Sequence, residues 1–152
     1  MLKITKKVEY SLIALKFFRD AKKQGELTTA REICSKFNTP FDTTSKVMQS
    51  MNNAGILSSS KGVNGGYSLK KNLKEISYME LANTVDPKGN DEDFCLTTKG
   101  RCEIYSTCNI VPTIDKLNLT LNEYLRNLNI HDLFEMAFSS SFPNKQEKTN
   151  EH

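Results

Sequence analysis

The 152-residue sequence contains no apolar run near the roughly 18–20 residues needed to span a bilayer. Its start, Met1-Leu2-Lys3-Ile4-Thr5-Lys6-Lys7, passes straight into an amphipathic pattern. It lacks the apolar stretch and small-residue cleavage site of a signal peptide, so a cytoplasmic protein with no membrane association is expected. Histidine is scarce: of 2 residues one is terminal, and no Ser/His/Asp order is present, so no enzyme is expected. There is no internal repeat and no paired C-x-x-C element of the kind zinc fingers use. Four cysteines in a reducing compartment point to metal binding or reactivity rather than a disulfide framework.

Charge is present but unevenly placed. Residues 1–74 hold 14 Lys and Arg against 5 Asp and Glu, whereas residues 75–152 hold 7 against 13. A basic N-terminal half on an acidic C-terminal half suggests a nucleic-acid module joined to something else.

Apolar spacing predicts a helix over Thr5–Ala21, with Val8, Leu12, Leu15 and Phe18 on one stripe. Thr29 and Glu32 form a capping-box pattern opening a second helix, on whose stripe Cys34 reads as a buried core thiol. Asp42 or Thr43 can cap a third helix, with Val47, Met51 and Ala54 inward and Gly55 as its C-terminal stop. Ile56–Ser60 and Tyr67–Leu69 read as strands around a turn-rich tip, Lys61-Gly62-Val63-Asn64-Gly65-Gly66. A second capping box, Ser77 and Glu80, opens a helix ending before Asp86-Pro87. The longest helical pattern runs from Pro112 to Leu128, followed by a new cap at Asn129–Asp132 and a short helix through Phe138. The expected divisions are a unit of helices and hairpin over 1–86, a cysteine-bearing loop over 87–111, a long helix and short helix over 112–138, and a disordered tail over 139–152.

Three helices and a hairpin in this order make a mostly α, winged helix-turn-helix fold, whose third helix would enter a major groove. Thr43, Thr44, Ser45, Lys46, Gln49 and Ser50 supply donors and acceptors for base edges, with Gln suited to adenine and Lys to guanine. Lys61 at the tip can neutralise phosphate, while Gly62, Asn64 and Gly65 let backbone approach the duplex.

Cys95, Cys102 and Cys108 are separated by six and five residues, too irregular for one helix face, so a loop running into a helix is expected. Three thiolates suit an iron–sulfur cluster, either 2Fe–2S or 4Fe–4S. A fourth ligand would come from Glu9, Glu103, Asp93, His131 or a partner subunit. Two alternatives stand beside this reading. One is a cluster-free regulator using thiol oxidation, and the other is a small iron–sulfur electron carrier, which would need neither the basic half nor the wing.

From Leu2 to Leu133 the chain resembles the Rrf-type bacterial regulators, the IscR-, NsrR- and RirA-like group. The resemblance is carried by Lys3–Tyr10, Ala54-Gly55-Ile56-Leu57, the wing Lys61–Tyr67, Ile76-Ser77, the three cysteines and the long helix after them. It implies an iron–sulfur-sensing homodimer held by the long C-terminal helix, with Cys95, Cys102 and Cys108 as ligands and an operator duplex read by the third helix and wing. It also implies Glu9 of the partner subunit as the fourth ligand, because Val111 stands where some relatives carry a histidine.

Overall fold

The computed structural model describes residues 4–89, 95–97 and 100–139. Helix α1 (Lys6–Ala21) begins at Thr5, whose hydroxyl accepts from the Val8 amide at 3.5 Å. Its inward face is Val8, Ser11, Ala14, Leu15 and Phe18, the three- and four-residue spacing of an amphipathic helix. Helix α2 (Ala30–Phe37) carries the full capping box: the Glu32 amide donates to Thr29 Oγ1 at 3.2 Å, and the Thr29 amide donates to Glu32 Oε2 at 2.7 Å. Asn38, left-handed at φ 53°, turns the chain into helix α3 (Phe41–Asn53). The expected cap at Asp42 or Thr43 is not used. Pro40 occupies the cap position without a side-chain bond, and Asp42 lies in the first turn, where its charge suits the helix dipole. Gly55, at φ 75°, ends the helix as expected.

Strands β1 (Leu57–Ser60) and β2 (Gly66–Leu69) pair antiparallel, with Leu57 opposite Leu69 and Ser60 opposite Gly66. Thr28 joins them by a bridge to Tyr67, each amide donating to the other's carbonyl at 2.8 Å. The approach is close: a Cβ at Gly66 would lie 3.0 Å from the Thr28 carbonyl oxygen. The hairpin is thereby fastened to the α1–α2 connection.

A 3₁₀ turn (Leu73–Glu75) leads to α4 (Tyr78–Val85), whose N-cap Ser77 accepts from the Glu80 amide at 3.1 Å. The Glu80 carboxylate pairs instead with Lys71 at 2.8 Å, so this end has one half of the expected box. A two-residue hairpin, β3 (Leu96–Thr97) and β4 (Gly100–Arg101), lies in the cysteine segment, where a loop was expected. Helices α5 (Val111–Asn127) and α6 (Ile130–Ser139) follow, with Asn129 Oδ1 accepting from the Asp132 amide at 2.8 Å. The α5–α6 junction is bonded to α4's entry: the Tyr78 amide donates to Leu128 at 2.8 Å, and the Ile130 amide donates to Ile76 at 2.9 Å.

One core results, in which Leu15, Ile33, Met48, Met51, Ile56, Ile76, Leu81 and Ile130 are wholly buried. Leu125 and Phe134 join it, so the C-terminal helices pack on the same core as the N-terminal ones. The fold is mostly helical with a small antiparallel wing, as expected. No helix among the described residues is long and apolar enough to cross a membrane. Asp93 and residues 140–152 of the expected tail lie outside the described residues.

Candidate nucleic-acid interface and cysteine site

Helix α3 divides its polar residues between two faces. Lys46 and Gln49 are exposed, and Thr43, Ser45 and Ser50 are half-buried. Thr43, Lys46, Gln49 and Ser50 line an open groove of about 390 Å³ together with Val47, Lys7 of α1 and Val85 at the end of α4. Thr44 belongs to the inward face with Met48 and Met51, and is fully buried. Its hydroxyl donates to Thr39 Oγ1 at 2.9 Å, and Thr39 in turn donates to the Cys34 sulfur at 3.7 Å. Thr44 therefore cannot present its hydroxyl to a duplex, and it leaves the candidate set. The spacing 44, 47, 48, 51 was the signal for this, masked by a polar side chain at an inward position. Cys34 is half-buried rather than fully buried.

At the wing tip Lys61, Gly62 and Asn64 are exposed and Gly65 half-buried. Gly65 is required by space, since a Cβ there would lie 2.5 Å from the Ser60 carbonyl oxygen. Val63 is fully exposed at the same tip. Sequence reasoning passed over it because an apolar residue between glycines reads as spacer.

Lys7 was also missed. Its charge was visible, but the face it occupies depends on how α1 packs against α3 and α4. Its Nζ lies 3.0 Å from Asp86 Oδ1, and the hydrogen bond from Lys7 holds the Asp86 carboxyl below the ordinary value; burial opposes this and the Thr5 hydroxyl adds to it.

In the cysteine segment the β3–β4 register sets Cys95 opposite Cys102, and the Cys102 amide donates to the Cys95 carbonyl at 2.9 Å. Hydrogen-bonded pairs of this kind have Cα atoms about 5.5 Å apart. Turns at Cys102–Tyr105 and Ile104–Thr107 then carry the chain to Cys108, just before α5. The Arg101 guanidinium stacks 4.4 Å from the Tyr105 ring centroid. The three thiols are half-buried and none is in a disulfide. As donors they fit a soft metal or cluster by chemistry. Geometrically, Cys95 and Cys102 are neighbours, but no group of three His, Cys, Asp or Glu stands together among the described residues.

The fourth-ligand candidates are dispersed. Glu9 is half-buried on α1 and paired with Lys6 at 2.7 Å. Glu103 is exposed between Cys102 and Cys108. His131 lies elsewhere, on α6, lining a separate cavity with Arg19, Lys22 and Lys71 and standing 3.3 Å from Asp132.

Residues 4–136 match the family model described as Rrf2, iron-dependent transcriptional regulator. An rrf2-like HTH-type transcriptional regulator of Rhodobacter capsulatus is 32% identical over 85 residues, 55% of this chain and 57% of its own length. An HTH-type transcriptional regulator of Aquifex aeolicus is 25% identical over 138 residues, 90% of this chain and 94% of its own. Among solved structures, CymR (YrzC), the global cysteine regulator of B. subtilis, is similar at a TM-score of 0.61 and 23% identity, covering 90% of this chain and 98% of that one. IscR of T. potens is similar at 0.59 and 16%, covering 93% and 92%. The chain belongs to the Rrf2 family of transcriptional regulators.

Proposed function

We propose that this protein is a homodimeric transcription regulator, not an enzyme, that binds an operator duplex through α3 and the wing under the control of its cysteine segment. The observation that carries the DNA-binding part is the groove in which Thr43, Lys46, Gln49 and Ser50 stand together, beside a wing tip exposing Lys61 and Asn64. Ser45 and the backbone at Gly62 and Gly65 complete the proposed contact set. Within it Gln49 and Lys46 read base edges, while Lys61 and the glycine amides meet phosphate. The homodimer rests on α5, where Leu125 is the one buried residue and Ile110, Ile114, Leu117, Leu121 and Tyr124 form an outward 3–4 stripe.

For the sensor, Cys95, Cys102 and Cys108 hold an iron–sulfur cluster, with Glu9 of the partner subunit as the fourth ligand. Bound there, a cluster supplies an inorganic centre that can be oxidised, nitrosylated or lost, releasing its thiolates. The thiolate chemistry and the family support this. The residues of this chain contribute the scaffold: the β3–β4 hairpin joins the backbone of Cys102 to that of Cys95, and the turns after it lead to Cys108 just before α5. On this reading residues 1–86 form the DNA-binding unit, 87–111 the sensing segment and 112–138 the dimerisation arm.

A second reading, a cluster-free thiol-redox regulator, is favoured by the backbone hydrogen bond that brings the chain at Cys102 against Cys95. Anaerobic purification separates the two. Visible absorbance with bound iron and sulfide, lost in Cys102→Ala, supports the cluster. A colourless, iron-free protein whose DNA affinity still responds to oxidant overturns it in favour of the thiol reading.

A further inference from the structure

Asp86 follows Val85, which lines the α3 groove, and its side chain is held on several sides. Its amide closes α4 by donating to Ala82 at 2.9 Å, and its carbonyl accepts from Gly89 at 3.0 Å. Gly89 has no room for a side chain: a Cβ there would lie 2.5 Å from Asp86 Oδ2 and 3.0 Å from Thr5 Cγ2. The carboxylate is thus wedged between the start of α1 and the turn that leaves α4, with 13% of its side chain exposed. Lys7, 51% exposed, reaches it at 3.0 Å while lining the groove with Thr43, Lys46, Gln49 and Ser50. An unrestrained lysine on an open surface loses considerable rotamer freedom when it binds phosphate. An ammonium has three donors, so one can be held by Asp86 while the others face the groove. Lys6, next to it, is engaged with Glu9 and does not line the groove.

We propose that Lys7 is a phosphate contact of the DNA interface and that Asp86 is its positioning residue, holding the ammonium over the α3 groove before DNA arrives. This rests on the DNA-binding reading above. It adds a contact from α1 to a surface otherwise built from α3 and the wing. Asp86 is also where the chain leaves the winged helix towards Cys95, so displacement of that turn reaches the groove through Lys7.

The role makes an unusual sign prediction. Removing a carboxylate from a DNA-binding face ordinarily strengthens binding, because it removes repulsion from phosphate. If Asp86 positions Lys7, Asp86→Asn weakens binding instead. The test uses the full chain and a mixed-sequence duplex, with affinity followed by fluorescence anisotropy over a salt series. Lys7→Ala lowers affinity and flattens the log–log salt slope by about 0.9 per protomer, about 1.8 for the dimer, so between about 50 and 200 mM salt it loses about 12-fold less affinity than wild type. Lys7→Arg restores the slope, and Lys116→Ala on α5, an equal change of charge, leaves it unaltered. Asp86→Asn weakens binding in the wild-type background and does not weaken it in Lys7→Ala. An unchanged slope in Lys7→Ala, or tighter binding by Asp86→Asn, overturns the proposal. Should the wild type itself fail to bind duplex at low salt, the DNA-binding reading falls first, and this inference with it. Circular dichroism spectra matching wild type tie each loss to the contact rather than to unfolding.

Discussion

The stripe on α5 predicts a dimer that one substitution weakens by a calculable amount. Ile110, Leu117 and Tyr124 leave 54%, 49% and 53% of their surfaces to solvent. With the half-buried Ile114 and Leu121 they repeat every three and four residues, the spacing of a seam between two helices. Full burial of a leucine is worth about 1.5–3 kcal/mol, so covering the exposed half of Leu117 is worth about 1 kcal/mol. A twofold interface counts it twice, giving about 2 kcal/mol, or roughly a thirtyfold weaker dimer for Leu117→Ala. Leu117→Glu adds the cost of burying a carboxylate and makes the protein monomeric at micromolar concentration. Leu119 is the control. It is more exposed, at 65%, but lies about 200° around the helix from Leu117, off the seam. Sedimentation velocity over a dilution series reads all three variants. If Leu119→Glu dissociates the protein as fully as Leu117→Glu, or if the wild type sediments as a monomer at tens of micromolar, the seam is wrong.

Two further predictions concern the groove and the wing. Lys7 depresses the Asp86 carboxyl, so the ionised form stabilises the fold at any pH above the unfolded carboxylate value of about 3.9, and that contribution is lost as pH falls through the lower folded value. In urea unfolding the stability gap between wild type and Asp86→Asn therefore stays level from neutral pH to about pH 5 and closes in more acid solution; a gap that persists at low pH rejects the ion pair as its source. At the tip, Gly65→Ala places a Cβ 2.5 Å from the Ser60 carbonyl oxygen and 2.9 Å from that of Gly62, backbone atoms that can yield only by reopening the turn. Thermal denaturation should show a loss of about 1–3 kcal/mol with weaker duplex binding, and unchanged stability would mean the turn is not held in this form.

The limits of sequence reasoning follow from how far apart the cooperating residues lie. The Thr29–Glu32 box, the Gly55 stop and the Asn129 cap are complete within a few residues, and each was readable. The Ser77 cap was half readable, because Glu80 found a better partner in Lys71, nine positions away. Thr44 shows the same effect within one helix: polarity suggested the outer face, and packing of α3 against the core decided otherwise. The β3–β4 hairpin left no periodicity to detect, having only two residues per strand. Its trace was Gly100, which at φ 111° adopts a backbone conformation most residues resist. That hairpin matters most for the chemistry. Six intervening residues point to a loop, yet the Cys102 amide donates to the Cys95 carbonyl across the mouth of the hairpin, while Cys108 is carried onward by turns. The contact between the first two is a backbone bond closed by the register of β3 on β4, of which spacing along the chain carries no trace.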